Sequence, residues 1–168
     1  MKHWLIFALI AGTFGANAAA PVFSANGLDP VKIGDTIARL GIDLRQRVDV
    51  GAQGDSCVLF STRDGENFGI SYLISDRVLA RINVDYYGTS TDPTTIRTAE
   101  GIGLGSTEED VMKAYGARVR AEPDTGDPTW HYLYVDDPAS GRGLRFDTDG
   151  KKVTSMHAGQ YPELKGGC

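Results

Sequence analysis

The chain resembles itself at a spacing of 74 residues, and this similarity restricts its possible folds more than any other feature. Residues 55–84 align with residues 129–158 without a gap, and apolar positions agree along most of that length. Leu59 aligns with Leu133, for example. A two-copy array is distinct from a long solenoid, so the pattern predicts one structural unit that occurs twice. The competing interpretation is a chance match between ordinary strand patterns.

Each copy shows the same order of local patterns. A short extended segment and a glycine turn lead to a helix start, with Asp35-Thr36 as the cap in the first copy and Ser106-Thr107 in the second. Three strands follow, joined by turn residues such as Asp149-Gly150. We therefore expect an α+β fold with two tandem copies of a helix plus antiparallel β-meander unit. The helices would pack on one face of the sheet.

The first 20 residues have the pattern of an export signal. Lys2 precedes an apolar run, and the small residues after it include Ala16-Asn17-Ala18, which fits an A-x-A cleavage site. The run is shorter than the roughly 20 residues that a membrane-spanning helix needs. We expect a periplasmic or secreted protein without a membrane anchor after cleavage, although a buried N-terminal helix is the alternative.

The expected organisation is one compact domain after this leader. It comprises a signal peptide at 1–18, a first α+β repeat at 19–86, a linker at 87–93 and a second repeat at 94–168. Removing the leader takes away one of the 17 basic residues and none of the 22 acidic ones, which leaves a net charge of −6. A mildly acidic surface disfavours nucleic acid and anionic lipid as partners. It is compatible with a basic protein partner, but solubility alone would also produce it.

Two cysteines, Cys57 and Cys168, remain in the mature chain. In an oxidising compartment such a pair usually forms one disulfide. A redox pair normally has the C-x-x-C spacing, which is absent here. We therefore predict a structural disulfide between these two residues, and an intermolecular bridge is the alternative.

No group of residues has the pattern of a strong catalytic or metal site. His131 and His157 are the histidines of the mature chain, and a metal ion would need further ligands from acids such as Asp136 or Asp137. The glycines that precede the second helix do not have the G-x-G-x-x-G spacing of a phosphate-binding loop. We expect a protein that is not an enzyme and holds no cofactor and no metal. A small enzyme or metal binder is the minor alternative.

Strand alternation predicts which side chains share a face of the sheet. Trp130, Tyr132 and Tyr134 alternate along one strand, and we expect them in the core under the helices, together with Phe146. The opposite face is the candidate protein-binding surface. It would carry His131, Leu133, Arg145 and Asp147.

Several runs in the second copy resemble a known group of proteins. The run from Gly101 to Gly116, then Trp130-x-Tyr132, and then Leu144 to Met156 are similar to signatures of small bacterial envelope domains. They resemble the SmpA/OmlA type of domain and the tandem-repeat β-lactamase inhibitor proteins. The resemblance implies a helix-plus-antiparallel-sheet unit, present twice, in a non-enzymatic protein that binds other proteins. We expect a periplasmic or secreted protein-binding domain, and the favoured role is an inhibitor or immunity factor of an envelope hydrolase. An envelope assembly or housekeeping factor is the alternative.

Overall fold

The structure, a computed structural model, describes residues 21–50, 57–61, 69–85 and 95–166. The predicted signal peptide, the predicted linker and Cys168 lie outside these residues. Within the described ranges, no helix is both long and apolar enough to cross a membrane. The predicted repeat boundaries are not tested by the structure and stay predictions.

Short strands make up most of the described chain. The first half contains β1 (Val22–Ser24), β2 (Gly27–Leu28), β3 (Val31–Lys32), α1 (Ile37–Asp43), β4 (Cys57–Ser61), β5 (Ile70–Ser75) and β6 (Val78–Asp85). The second half contains β7 (Arg97–Thr98), α2 (Glu108–Tyr115), a 3-10 turn (Gly116–Arg118), β8 (Val119–Pro123), β9 (His131–Asp137), β10 (Arg142–Thr148) and β11 (Val153–Gln160).

These strands form two sheets. The larger sheet has seven strands in the order β4-β5-β6-β11-β10-β9-β8, and every neighbouring pair in it is antiparallel. The smaller sheet has four strands in the order β3-β2-β1-β7, and its β1–β7 pair is parallel. The two halves of the chain therefore meet in both sheets, through β6–β11 and through β1–β7.

The expected α+β fold of two tandem helix-plus-meander units is wrong. Strand residues account for 48% of the described chain and helical residues for 15%, so the protein is mostly β. The extended segments that we expected to open two separate units pair with each other instead, with Val22 opposite Arg97. The helices have only seven and eight residues, which is too short to cover a seven-stranded sheet by themselves.

The internal similarity is visible in local structure, within one shared sheet. The Gly34 amide donates to the Leu79 carbonyl at 2.7 Å, and the Gly105 amide donates to the Val153 carbonyl at 2.9 Å. Both bonds tie the segment before a helix to the large sheet, and their residues are 71 and 74 positions apart. The repeated pattern thus encodes equivalent helix starts rather than separate units.

The start of α2 follows from its sequence. The Thr107 hydroxyl accepts a hydrogen bond from the Asp110 amide at 3.1 Å, and the Asp110 carboxylate accepts one from the Thr107 amide at 2.9 Å. This reciprocal capping box satisfies amides that a helix N-terminus leaves without partners. At the other end Gly116, with a φ of 57°, terminates the helix.

One face of the large sheet holds the main hydrophobic core. Leu133, Leu144, Phe146 and Met156 of this face are buried in one cluster with Leu40, Val111 and Tyr115 of the two helices and with Phe23 of the small sheet. The other face of the large sheet carries mostly polar side chains, and we call it the polar face.

Candidate functional site

A row of directly paired residues, one from each strand of the large sheet, crosses the polar face. Direct partners in an antiparallel pair point to the same face, so these seven residues form a row across the sheet. The row consists of Ser61, Ser71, Asn83, His157, Arg145, Tyr134 and Arg120.

Hydrogen bonds connect the middle of this row. The Asn83 side-chain amide donates to the Ser71 hydroxyl at 2.9 Å, and His157 Nδ1 lies 2.8 Å from Asn83 Oδ1. On its other side, His157 Nε2 lies 3.3 Å from Asp147 Oδ2. Asn83 and His157 are both buried, and both have the hydrogen-bond partners that buried polar side chains require. The network therefore fixes the geometry of the polar face.

Arg145 and Asp147 form a bidentate ion pair next to this network. Both contacts, Nε to Oδ1 and Nη2 to Oδ2, measure 2.6 Å. Burial opposes ionisation of Asp147, but hydrogen bonds from His157 and Arg145 outweigh it and hold the pKa of this carboxyl below its usual range. Burial acts against the charge of Arg145 as well, yet its bond to Asp147 raises the pKa of the guanidinium. Both groups are therefore charged at neutral pH.

Arg145 also holds Tyr132. Its guanidinium carbon lies 4.3 Å from the centroid of the Tyr132 ring, a cation–π distance. The Tyr132 hydroxyl donates to Asp124 in the loop between β8 and β9, and this bond is the main reason that the pKa of Tyr132 is raised to about 12. The ring is thus fixed at its face and at its hydroxyl.

Hydrogen bonds to the backbone and to the carboxylates of Asp124 and Asp127 hold the loop between β8 and β9 in place. Backbone bonds run from the Asp124 amide to the Trp130 carbonyl at 2.9 Å and from the Trp130 amide to the Asp127 carbonyl at 3.0 Å. Hydrogen bonds lower the pKa of both carboxyls. The main one for Asp124 comes from the Tyr132 hydroxyl, and the main one for Asp127 comes from the Thr129 hydroxyl. At the end of this loop the Trp130 side chain is 48% exposed. We call Asp124, Asp127, Trp130, Tyr132 and Arg145 the Trp130 corner.

The four residues of the predicted binding face lie on two different faces of the large sheet. Arg145 and Asp147 lie on the polar face, whereas Leu133 is 2% exposed in the core. His131 lies on the core side too, where its Nδ1 is 2.8 Å from Glu108 Oε1 at the start of α2. The predicted core set is corrected in the same way. Phe146 is in the core, but Tyr132 and Tyr134 lie on the polar face, although Tyr134 is buried there, and Trp130 is exposed.

The register of the β9–β10 hairpin explains this error. Leu133 pairs with Phe146 and Tyr132 with Asp147, so odd-numbered residues of β9 share a face with even-numbered residues of β10. The predicted faces instead place residues of equal parity on β9 and β10 together. The loop from Pro138 to Gly141 has four residues, and since loop length fixes hairpin register, it was the sequence feature that could have assigned the faces.

A small cavity is lined by residues of both sheets. It has a volume of about 220 Å³, and its apolar lining includes Phe23, Tyr115, Val135 and Leu144. At its edge the Tyr115 hydroxyl donates to Glu100 at 2.9 Å. Among the residues that the structure describes, no three or more of His, Cys, Asp and Glu form a group that could hold a metal ion.

Cys57 lies at the start of β4, directly opposite Ser75 of β5. Its predicted disulfide partner, Cys168, is not among the described residues. The disulfide between them therefore stays a prediction.

No family model, curated protein or solved structure matches this chain. The resemblance to SmpA/OmlA domains and to β-lactamase inhibitor proteins accordingly stays a prediction.

Proposed function

We propose that this chain is an exported, periplasmic or secreted domain that binds another protein, and that the Trp130 corner is its main contact. The supporting observation is the exposed Trp130, which directly precedes the strand on which Arg145 holds Tyr132. Tryptophan, tyrosine and arginine are the residue types that most often dominate binding energy at protein interfaces. Aromatic residues and arginine are enriched at the cores of protein interfaces, so a half-exposed tryptophan followed by an ordered tyrosine–arginine pair favours recognition over a purely structural role.

Preorganisation of this corner supports the proposal. Tyr132 is held by Arg145 on its ring face and by Asp124 at its hydroxyl, and Arg145 is in turn held by Asp147. Side chains that are already ordered lose little entropy on binding, so more of the contact energy contributes to affinity.

Charge indicates the chemistry of the partner. Asp124 and Asp127 are half-buried, and their lowered pKa values keep them ionised at neutral pH. The mature chain also has an excess of acidic residues. A partner with a basic surface around an apolar pocket would complement both the acids and Trp130. The resemblance to inhibitor proteins favours an envelope hydrolase as that partner.

The experiment is a quantitative capture from an envelope extract of the source organism, followed by binary titration of the captured protein. Wild type should capture one basic protein, and Trp130→Ala should weaken its binding by about 30-fold, which corresponds to a loss of roughly 2 kcal/mol. Raising the ionic strength should lower the association rate, since complementary charges accelerate encounter.

Ile42→Ala is the matched control. Ile42 is a large apolar residue on α1 and is 67% exposed, so its truncation removes exposed apolar surface away from the Trp130 corner. The control should retain wild-type affinity. Equal binding by wild type and Trp130→Ala, or equal losses in both variants, would contradict the proposal.

A further inference from the structure

His157 lies in the middle of the polar face and is buried there, with 7% of its surface exposed. Its direct partners on the neighbouring strands are Asn83 of β6 and Arg145 of β10. A side chain this deeply buried depends on protein groups for its hydrogen bonds, because little water reaches it. The partners of its two ring nitrogens therefore decide which protonation states the site accepts.

On one side of the ring, the partner is an amide that is oriented by a serine. Asn83 Nδ2 donates to the Ser71 hydroxyl at 2.9 Å, which leaves Asn83 Oδ1 facing His157 Nδ1 at 2.8 Å. A carbonyl oxygen accepts hydrogen bonds and does not donate them. In this arrangement Nδ1 is therefore the donor and carries a proton.

On the other side of the ring, the partner is a carboxylate. His157 Nε2 lies 3.3 Å from Asp147 Oδ2. Burial opposes the ionisation of Asp147, but hydrogen bonds from His157 and Arg145 outweigh it and keep the pKa of this carboxyl below its usual range. An ionised carboxylate only accepts, so Nε2 must carry a proton too. Both ring nitrogens thus face acceptors, an arrangement that the protonated ring satisfies and the neutral ring does not.

A neutral His157 fits the same site only if the Asn83 amide turns over. The neutral ring has one donor nitrogen and one acceptor nitrogen. If Nε2 keeps its proton for Asp147, Nδ1 becomes an acceptor and needs a donor. Turning the amide over places Asn83 Nδ2 against Nδ1 and Asn83 Oδ1 against Ser71, whose hydroxyl can rotate to donate. Each of these groups again has a partner, and the direction of the chain is reversed.

The formal charges around His157 are balanced in number among the described residues. Three are positive and three are negative, and they come from β6, from β10 and from the segment after β11: Arg81, Asp85, Arg145, Asp147, Glu163 and Lys165. Because neither sign is in excess, we assign the difference between the two states to the direction of the hydrogen bonds.

We propose that Ser71, Asn83 and His157 form a proton-operated switch, in which the protonation of His157 sets the direction of their hydrogen-bond chain. In the protonated state the chain runs from His157 through Asn83 to Ser71, as the arrangement in the structure requires. In the neutral state it runs from Ser71 through Asn83 to His157. Histidine side chains change charge near neutral pH. The switch is a property of the fold and does not depend on the proposed function.

The state of the switch reaches the rest of the polar face through Asp147. A charged donor makes a stronger hydrogen bond to a carboxylate than a neutral donor does. Asp147 in turn holds Arg145, whose guanidinium lies over the Tyr132 ring. Loss of the His157 proton therefore weakens one support of Asp147 and leaves its pair with Arg145 in place.

The test detects the direction of the bond between Asn83 and His157 by NMR of the mature chain labelled with nitrogen-15. An N–H···N bond transmits a scalar coupling between its two nitrogens, whereas an N–H···O bond contains one nitrogen. Above the pH at which His157 titrates, Asn83 Nδ2 and His157 Nδ1 should be coupled, and below that pH the coupling should vanish. His131 is the internal control, because its Nδ1 lies against Glu108 and should show no such coupling at any pH.

A variant that cannot turn over provides the second measurement. Asn83→Asp keeps the shape of the side chain, but its carboxylate accepts from Nδ1 and cannot donate to it. The protonated ring is then favoured, and the His157 transition should move to higher pH by at least about one pH unit. Gln160→Glu is the matched control. It makes the same change from amide to acid on the opposite side of β11, and it should leave the transition close to that of wild type.

A neutral His157 that carries its proton on Nδ1 would overturn the proposal. Absence of the coupling at high pH, with both nitrogens resolved, would overturn it as well. A ring that does not titrate over the pH range in which the protein stays folded would have one state and would equally exclude a switch. The coupling is measured on wild type, so it decides the matter even if Asn83→Asp does not fold. None of these results bears on partner capture by the Trp130 corner.

Discussion

Replacing Arg145 with methionine tests whether the polar face depends on its central ion pair. The change keeps an apolar stem over Tyr132 but removes both bonds to Asp147 and both bonds to the main chain of residues 161–166. Asp147 is only 22% exposed and would retain one contact, with His157 at 3.3 Å. Removing one partner of a buried ion pair costs about 3–5 kcal/mol, and partial exposure with a remaining partner reduces this to roughly 2–4 kcal/mol.

The assay is urea unfolding of wild type, Arg145→Met, Asp147→Asn and the double variant. If the two residues act as a pair, the double variant should lose less stability than the sum of the single losses, with a coupling of at least about 1 kcal/mol. Additive losses would refute the reasoning, because they would mean that the ion pair contributes nothing beyond its separate members.

The stability difference between wild type and Arg145→Met should also depend on pH, and the pKa shift of Asp147 predicts the direction. The pKa of Asp147 is lowered in the folded state from its ordinary value of 3.8. Its ion pair therefore stabilises the fold fully above that value, and the contribution is lost as the pH falls through the lower folded value. The difference between wild type and Arg145→Met should shrink as the pH is reduced below 3.8. A difference that stays constant down to acid unfolding would contradict the assignment.

Further predictions follow from other parts of the fold. Phe146→Ala should cost about 3–5 kcal/mol in a thermal or urea melt, because it empties a fully buried core position; a loss under 1 kcal/mol would place Phe146 outside the core. Thr107→Ala should cost about 1 kcal/mol through loss of the α2 cap, and Thr107→Ser should restore most of it. Thiol titration of the unfolded, non-reduced mature protein should find almost no free thiol if Cys57 and Cys168 are joined, and two reactive thiols would exclude the disulfide.

Local features of this fold were predictable from sequence because local interactions determine them. The cap at Thr107 and the end of α2 at Gly116 depend on residues within one turn of each other, and the three strands β9, β10 and β11 depend on residue alternation and turn chemistry. Residue pattern alone was sufficient for these elements.

The arrangement of the sheets depends on interactions that no local pattern encodes. The parallel pairing of Val22 with Arg97 joins residues 75 positions apart, and the local pattern that predicts each of these extended segments does not specify its partner strand. The polar face was misassigned for a related reason. A register shift of one residue exchanges the faces of a strand, so Tyr132 and Leu133 changed places although both lie in a correctly predicted strand.

The packing of residues 161–166 was also not predictable from local pattern. Nothing in their sequence indicates that Leu164 is fully buried or that it lies against Gly143 of β10. This contact is a property of the assembled sheet.

The most direct test of the central claim uses fluorine NMR of Trp130. Trp4 lies in the predicted leader, so Trp130 is the one tryptophan of the predicted mature chain, and 5-fluorotryptophan incorporation gives it a single resonance. We predict that titration with the captured, unlabelled partner shifts this resonance and reduces its H₂O/D₂O isotope shift, as the half-exposed ring becomes buried. A partner that binds by calorimetry while the Trp130 resonance and its solvent isotope shift stay unchanged would contradict the assignment of the Trp130 corner as the binding site.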